Sequence, residues 1–386
     1  MTGGGGELSP VVGGNSRGGT VRVPGSLGRG VVLRGRLWPG GGADAYDGLL
    51  IVAGDGTVAA LGPAGQLAVP ADLPVLGGPG RWIGPGVVDA HVHLAFGGPA
   101  EAVRGGVVGV RDLGAPPADA WAWRTRPGPL GGPPPGQPWV AVAGPVVTAP
   151  GGYPSRSWGA AGFAAFASSP EAAGRLVRDL AADGADLIKI ALEPGPGWPV
   201  PSPPVVRAVV DAAHRAGLAV TAHALRSEMV ARALDAGVDE LAHVPARRLP
   251  EPLVHRIATA GIPVVSTLQA FFSGGDGRDA AANAADLHRA GVRLLYGTDL
   301  GNAGTRPGVD PRELDRLADA GLGRPGALRA ATEGSAAAAG MRAPGLGRIE
   351  LGRPASVVLL CGDPLVEPEV WRRPLAVVSG GRLVCP

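Results

Sequence analysis

The chain has 386 residues, of which 45% are hydrophobic and 18% are charged, so it has enough apolar material for a large core and too little charge for a disordered chain. Its net charge of +2 forms no basic stripe, and no apolar run approaches the roughly 20 residues that span a bilayer. We therefore expect no nucleic acid and no membrane as a partner.

The two ends of the chain share a pattern of short strands. Residues 1–28 are rich in glycine, and we expect them to be disordered. Short apolar runs separated by Gly and Asp-Gly come next, and similar runs return near the C-terminus, which predicts small antiparallel strands. We expect residues 29–84 and 344–386 to build one small β-sandwich domain. The predicted strands lie at 31–33, 49–52, 58–61, 356–360 and 375–384.

Between these segments, runs of valine, isoleucine and leucine alternate with alanine-rich stretches of helical period. This alternation predicts βαβ units and a parallel sheet. Eight such runs without a hairpin signal favour an α/β fold, a closed (β/α)8 TIM barrel over residues 85–343, with an open α/β sheet as the alternative. The predicted strands are 87–93, 107–113, 139–147, 187–192, 218–223, 240–243, 263–268 and 292–299. The predicted helices are 99–105, 170–183, 204–216, 226–236, 250–260, 278–290 and a longer tract after Pro311.

Side chains that can bind metal stand at the C-terminal ends of these strands. In a TIM barrel those ends converge on the open face that carries the chemistry. Four of the seven histidines, the only lysine and an aspartate fall there. They are His91 and His93 on the first strand, Lys189 on the fourth, His223 on the fifth, His243 on the sixth and Asp299 on the eighth.

The spacing and the residue types both favour a metal site. His91 and His93 are separated by one residue, so in an extended strand both imidazoles point inward and can bind one ion. Arginine occupies every other position that carries a lysine or arginine. The single lysine, Lys189, therefore indicates a position that needs an amine able to lose its proton. The alternative is that both histidines are buried and bonded only to backbone carbonyls. Chance would rarely place four further side chains that can bind metal at the same end of the barrel.

Five segments together resemble the amidohydrolase superfamily, and the resemblance covers about residues 31–386. Because one of these segments contains Lys189, the chain is similar to the binuclear branch of the superfamily that includes prolidase-like dipeptidases. Imidazolonepropionase-like proteins are more distant relatives. The segments are Gly-Pro-Gly-Val-Val-Asp-Ala-His-Val-His at 84–93, Gly-Ala-Asp-Leu-Ile-Lys-Ile at 184–190, Thr-Ala-His at 221–223, Glu-Leu-Ala-His at 240–243 and Gly-Thr-Asp at 297–299.

The resemblance implies two divalent metal ions. His91, His93 and Asp299 would hold the first ion, and His223 and His243 the second. Lys189 would react with carbon dioxide to form a carbamate that bridges both, because burial beside cations depresses the pKa of an amine. Zinc suits these ligands, while manganese, iron and cobalt accept similar ones.

The resemblance also implies hydrolysis of an amide, peptide or cyclic amide bond. Two neighbouring cations lower the pKa of a bridging water, so hydroxide exists at neutral pH, and one cation polarises the scissile carbonyl. Asp299 would take the proton from that water and return it to the leaving nitrogen, with Lys189 and His243 completing the catalytic set. A dipeptidase or prolidase-like activity is the leading interpretation.

Two other functions stay open at this point. A mononuclear deaminase or a lactone hydrolase could use the same barrel, although such deaminases usually carry a glutamate where this chain has Arg226, with Glu228 nearby. A barrel without catalytic activity could serve as a binding module, but such a protein should have lost ligands. The number of bound ions would separate the two enzyme interpretations.

Segment 149–169 leaves the third strand as a long loop at the active face, where loops commonly bind substrate. Tyr153 could donate a hydrogen bond to the carbonyl or the intermediate, and Arg156 or Arg226 could pair with a substrate carboxylate. A solvated loop with an aromatic ring packed beneath it is the alternative.

Two cysteines, Cys361 and Cys385, cannot make a disulfide framework for a chain of this length, and the start has no charged region followed by an apolar one. We therefore expect a cytoplasmic protein. Its expected partner is a small-molecule substrate, and assembly into a homo-oligomer is left open.

Overall fold

The structure is a computed structural model that describes residues 30–125, 133–134, 136–195, 197–338, 340–341 and 343–384. The predicted disordered segment 1–28 lies outside these residues. The strands are β1 (Val31–Leu37), β2 (Tyr46–Val52), β3 (Val58–Pro63), β4 (Val75–Pro85), β5 (Val87–Val92), β6 (Val107–Asp112), β7 (Trp139–Val142), β8 (Val146–Thr148), β9 (Ala164–Phe166), β10 (Ile188–Ala191), β11 (Val220–His223), β12 (Glu240–Leu241), β13 (Val264–Val265), β14 (Leu294–Leu295), β15 (Val357–Leu360), β16 (Ala376–Ser379) and β17 (Arg382–Val384). The α-helices are α1 (Pro99–Arg104), α2 (Pro117–Trp123), α3 (Pro170–Asp183), α4 (Pro203–Arg215), α5 (Ser227–Ala236), α6 (Glu251–Ala260), α7 (Leu268–Ser273), α8 (Arg278–Arg289), α9 (Pro311–Leu317) and α10 (Gly323–Arg329).

The central part of the chain forms a (β/α)8 barrel, as predicted. Strands β5, β6 and β7 make one parallel sheet, and β8 and β10 to β14 continue in parallel around the ring, with β9 outside β8. The ring closes between β5 and the segment after β14. There the amide of Ala90 donates to the carbonyl of Tyr296 over 3.0 Å, and the amide of Asp299 donates to the carbonyl of His91 over 2.8 Å.

The third barrel strand differs from the prediction. The expected single strand 139–147 is divided into β7 and β8, so that prediction is wrong. Gly144 at the break has a φ of 71°, a left-handed conformation that favours glycine, and Pro145 has no N–H to donate. The division allows β7 to pair with β6 while β8 pairs with β10. The expected loop 149–169 likewise contains a short strand, β9.

Most predicted helices agree with the structure to within one residue. Helix α3 shows why: the Ser169 hydroxyl accepts from the amide of Ala172 over 3.2 Å, Pro170 occupies the first turn, and Gly184 ends the helix in a left-handed conformation. Helices α2 and α7 were not predicted. The expected strand 263–268 is also too long, because α7 begins at Leu268 and only β13 pairs in the sheet.

The small domain takes strands from both ends of the chain, as predicted. Its seven-stranded sheet has the order β17-β16-β15-β4-β1-β2-β3. Strand β4, which was not predicted, is the link, because it pairs in parallel with β1 and antiparallel with β15. The sheet is therefore mixed and not wholly antiparallel as expected. The domain boundaries at 84/85 and 343/344 stay a prediction.

Within the described part of the chain, we find no helix that is both long enough and apolar enough to cross a membrane.

An ion pair crosses the interior of the barrel. Arg111 on β6 donates to Glu240 on β12 through two nitrogens, and both side chains are fully buried. These strands are not neighbours in the ring, so the pair spans the space between them. Arg111 also donates to the carbonyl of Ala90 over 2.8 Å, and Thr221 donates to Glu240 over 2.8 Å. The pair therefore joins four strands through one network.

Replacing Arg111 with methionine should lower the free energy of unfolding by about 3–5 kcal/mol, because Glu240 would keep a buried charge without its partner. The double variant Arg111→Met/Glu240→Leu should be more stable than Arg111→Met alone. Denaturant unfolding followed by tryptophan fluorescence measures both variants. Arg278→Met, which breaks an exposed ion pair with Asp276, is the control. A double variant no more stable than the single one would contradict this account.

Candidate metal centre

All six predicted metal ligands line one cavity of about 250 Å³ at the C-terminal ends of the barrel strands. His91 and His93 come from β5 and the residue after it, Lys189 from β10 and His223 from β11. His243 and Asp299 lie just beyond β12 and β14. The structure therefore brings together side chains that are up to 208 positions apart in the sequence, counted from His91 to Asp299.

One part of the centre consists of His91, His93 and Asp299. The Asp299 Oδ1 atom lies 3.3 Å from Nε2 of His91 and 3.4 Å from Nε2 of His93. One ligand atom from each of the three residues falls within 4.8 Å of the others, which is the spacing that one ion requires. This group could hold a metal ion.

The other part consists of His223 and His243. Nδ1 of His223 faces Nε2 of His243 over 3.0 Å, close to the roughly 3.3 Å expected of two nitrogens that share one tetrahedral ion. The Lys189 Nζ atom lies 3.5 Å from Nε2 of His91, and the rings of His91 and His243 are 4.5 Å apart. The two parts therefore adjoin, with the lysine between them.

Hydrogen bonds behind the rings orient three of the four histidines. Nδ1 of His91 lies 2.8 Å from the Ala242 carbonyl, and Nδ1 of His93 lies 3.1 Å from the Gly114 carbonyl. A carbonyl only accepts, so each Nδ1 carries the proton and each Nε2 presents its lone pair to the centre. Nδ1 of His243 contacts the Thr267 hydroxyl over 3.0 Å in the same way. These contacts fit metal ligation and were not predictable from spacing.

Asp89 holds the first and last strands together beside the ligands. Its Oδ1 accepts from the amides of His91 and Thr298, each over 3.1 Å, and its Oδ2 accepts from the Thr298 hydroxyl over 2.6 Å. The following residue, Asp299, has a φ of 52°, which is uncommon for a residue other than glycine. Asp89 lies within the motif at 84–93, but the sequence alone does not predict this role.

Burial sets the charge state of the centre. It lowers the pKa of Lys189 to about 7, and it lowers the pKa of His91 and His243 well below the ordinary 6.5. Burial raises the pKa of Asp299, but His91 and the other histidines outweigh this and hold it well below 3.8. Neutral imidazoles, a deprotonated carboxylate and an amine that can lose its proton are the forms that bind metal.

The three predicted substrate-binding residues occupy different places. Tyr153 lines the cavity, and its hydroxyl accepts from Nε1 of Trp158 over 2.8 Å. Arg226 is the N-cap of α5 and lies 3.6 Å from a carboxylate oxygen of Glu193, with its side chain 45% exposed. Neither Arg226 nor the exposed Arg156 is among the described residues that line the cavity. Their part in substrate binding stays a prediction.

An aromatic wall beside the metal ligands was missed. The ring of Trp158 lies 4.6 Å from His93 and 6.1 Å from Phe96, and Phe96 stacks on Phe163 with an interplanar angle of 16°. Phe96 remains 49% exposed at the mouth of the cavity. Its position three residues after His93 was a usable signal, since it must lie near the rim. The contact of Trp158 depends on the path of a long loop.

Known proteins are similar to this chain in sequence. The sequence profile of the amidohydrolase family matches residues 137–384. An uncharacterised protein of Mycobacterium tuberculosis is 28% identical over 351 residues, which cover 80% of this chain and 86% of that protein. Ochratoxinase of Aspergillus niger is 30% identical over 255 residues, which cover 58% of this chain and 52% of ochratoxinase.

Solved structures share the fold. A Xaa-Pro dipeptidase crystallised with methionine in its active site superposes with a TM-score of 0.78 at 20% identity, over 92% of this chain and 100% of that chain. The crystal structure of Aspergillus niger ochratoxinase superposes with a TM-score of 0.73 at 21% identity, over 92% of this chain and 95% of that chain. At these identities the likeness shows the architecture alone.

In the metal-free protein, the imidazoles of His91 and His243 should titrate below pH 6.5, because burial disfavours their charged forms. NMR of the ring carbon-bound protons over a pH series measures the midpoints. Loss of a signal in His91→Gln or His243→Gln assigns it. Midpoints at or above 6.5 for both rings would contradict the buried arrangement.

Proposed function

Because this chain belongs to the amidohydrolase family, we propose that it is a metal-dependent hydrolase that cleaves the amide bond of a dipeptide or a similar N-acyl amino acid. The chain is a hydrolase of carbon–nitrogen bonds that acts on a small molecule. The observation that carries the finer proposal is the meeting of four histidines, Lys189 and Asp299 in one cavity.

We assign two divalent ions to this centre, with zinc as the first choice of metal. His91, His93 and Asp299 would hold one ion, and His223 and His243 the other. The neutral amine of Lys189 would attack carbon dioxide and lose one proton, and the resulting carbamate would join the histidines and Asp299 as a further ligand of the centre. When bound, such ions polarise a substrate carbonyl and lower the pKa of a water molecule.

Asp299 would move the proton in the reaction. Its carboxylate is deprotonated, and its side chain is 14% exposed at the wall of the cavity. The Oδ2 atom lies 3.8 Å from Nδ1 of His243, so Asp299 is close to a residue of the second half of the centre. From there Asp299 would accept the proton of the attacking water and return it to the leaving nitrogen. Between these steps Asp299 would carry the proton as a neutral carboxyl, and the neighbouring His243 ring would keep that carboxyl in position.

Tyr153 would bind the substrate carbonyl. Its hydroxyl oxygen accepts from Trp158, so its own proton stays available for a second hydrogen bond. Burial raises the pKa of this hydroxyl, which therefore keeps its proton at any physiological pH. A donor held in this way would stabilise the negative charge that develops on the carbonyl oxygen.

The size and lining of the cavity support a small, partly apolar substrate. A volume of about 250 Å³ is below the range of drug-sized pockets, which begins near 300 Å³. Phe96 and Trp158 form an apolar wall next to His93. We infer that one side group of the substrate lies against this wall while the scissile bond reaches the metal ligands.

Deamination has less support than amide hydrolysis. Glu228, which is two residues from the position where deaminases carry their glutamate, is exposed in the first turn of α5. It is not among the described residues that line the cavity. No observation favours it as a proton donor to a substrate ring.

Replacing Lys189 with alanine or arginine should reduce bound metal from about two ions per chain to about one and abolish activity, because neither side chain can form a carbamate. Elemental analysis of zinc-loaded, dialysed protein measures the number of metal ions bound per chain. His255→Ala, a change at an exposed histidine on α6, should leave it unchanged. Two retained ions in both Lys189 variants would exclude the bridging role.

Replacing Trp158 with alanine should raise KM about three- to tenfold for a dipeptide with an aromatic side chain, because a ring contact of about 0.5–1.5 kcal/mol is lost. A glycine-only dipeptide should show a smaller rise in KM, because it loses only the effect of the Trp158 donor on the Tyr153 hydroxyl. Steady-state kinetics of the metal-loaded enzyme, with a chelator control, measures both substrates. Equal increases in KM for both dipeptides would show that the aromatic wall does not contribute to substrate recognition.

A further inference from the structure

Glu193 is a largely buried carboxylate that the proposed reaction does not use. It lies two residues after β10, at the same end of the barrel as the metal ligands, and its side chain is 11% exposed. Its Oε2 atom lies 3.6 Å from Nε2 of His223, and its Oε1 atom lies 3.6 Å from Nε of Arg226. The carboxylate therefore stands between a candidate metal ligand and a cation.

The two atoms that face each other lack other partners. Among the described residues, neither Oε2 of Glu193 nor Nε2 of His223 has a hydrogen-bond partner, and both atoms are buried. Buried polar atoms without partners are destabilising, so such pairs are rare unless they bond to each other. An approach of about 0.5 Å would make an Nε2–H···Oε2 hydrogen bond of ordinary length.

His223 differs in orientation from the other three histidines. His91 and His93 bond a backbone carbonyl through Nδ1, and His243 contacts the Thr267 hydroxyl through Nδ1, so these rings present Nε2 to the centre. His223 presents Nδ1, which faces Nε2 of His243. Its ring therefore needs an acceptor at Nε2, because a neutral imidazole carries one proton and offers one lone pair.

We propose that Glu193 is a positioning residue that accepts the Nε2 proton of His223 and so holds Nδ1 toward the second metal ion. This inference rests on the proposed function. Metal-ligating histidines commonly donate their other nitrogen to a carboxylate, which fixes the tautomer and raises the basicity of the ligand. Glu193 is not among the described residues that line the cavity, so it acts on the metal ligand and not on the substrate. The contact with Arg226 holds the other oxygen in place.

The test measures zinc affinity in Glu193→Ala and Glu193→Gln, with Glu228→Ala as the control at an exposed glutamate near the same helix N-terminus. Titration against a chromophoric chelator gives the dissociation constant of each ion. Glu193→Ala should weaken one of the two ions about 10- to 100-fold and leave the other within about twofold. Glu193→Gln should lose less, because its amide oxygen can still accept from Nε2. The control should bind as the wild type does.

A second readout comes from cobalt. The visible spectrum of the cobalt-loaded protein should change in Glu193→Ala and return toward the wild type in Glu193→Gln, since the ligand field follows the orientation of His223. Unchanged affinity for both ions in Glu193→Ala, or equal losses in the two variants, would overturn the inference while the metal centre stands. A wild-type protein that binds no zinc would instead overturn the proposed function.

Discussion

The carboxylate of Asp89 is the contact on which the site depends. It accepts three hydrogen bonds, one from the amide of His91 and two from Thr298, and so fastens the first barrel strand to the last. Each of these segments continues into a candidate metal ligand, namely His93 and Asp299. Burial raises the pKa of Asp89 to about 7, and the three donors act against that rise. The hydrogen bonds that close the barrel at this carboxylate therefore also help to position His93 and Asp299.

The meeting of the six candidate ligands could be predicted because the C-terminal ends of parallel barrel strands converge on one face. His91, Lys189 and Asp299 needed only the correct strand count and the rule that function lies at the C-terminal rim. The same rule could have found Glu193, which comes directly after a predicted strand. Glu193 belongs to no recognisable motif. Its contact with Nε2 of His223 depends on the orientation of the imidazole ring, which the spacing of residues in the sequence does not reveal.

Other parts of the structure depend on contacts between distant segments. The division of the third strand at Gly144 and the parallel pairing of β4 with β1 follow from where neighbouring strands lie, and local patterns do not encode those positions. Arg226 shows the same limit. The substrate-binding role predicted for Arg226 stays a prediction, but its contact with Glu193 in the structure could not be read from the sequence. Such contacts depend on how distant segments pack.

The pairing of β4 with β15 has a consequence for biosynthesis. Strand β4 leads directly into β5, which carries His91, but one edge of β4 stays unpaired until residues 357–360 leave the ribosome, after the whole barrel has been translated. An open strand edge can join another chain during this interval. The nascent chain can therefore associate with other chains until β15 has been synthesised. We expect chaperones to bind it mainly during this interval.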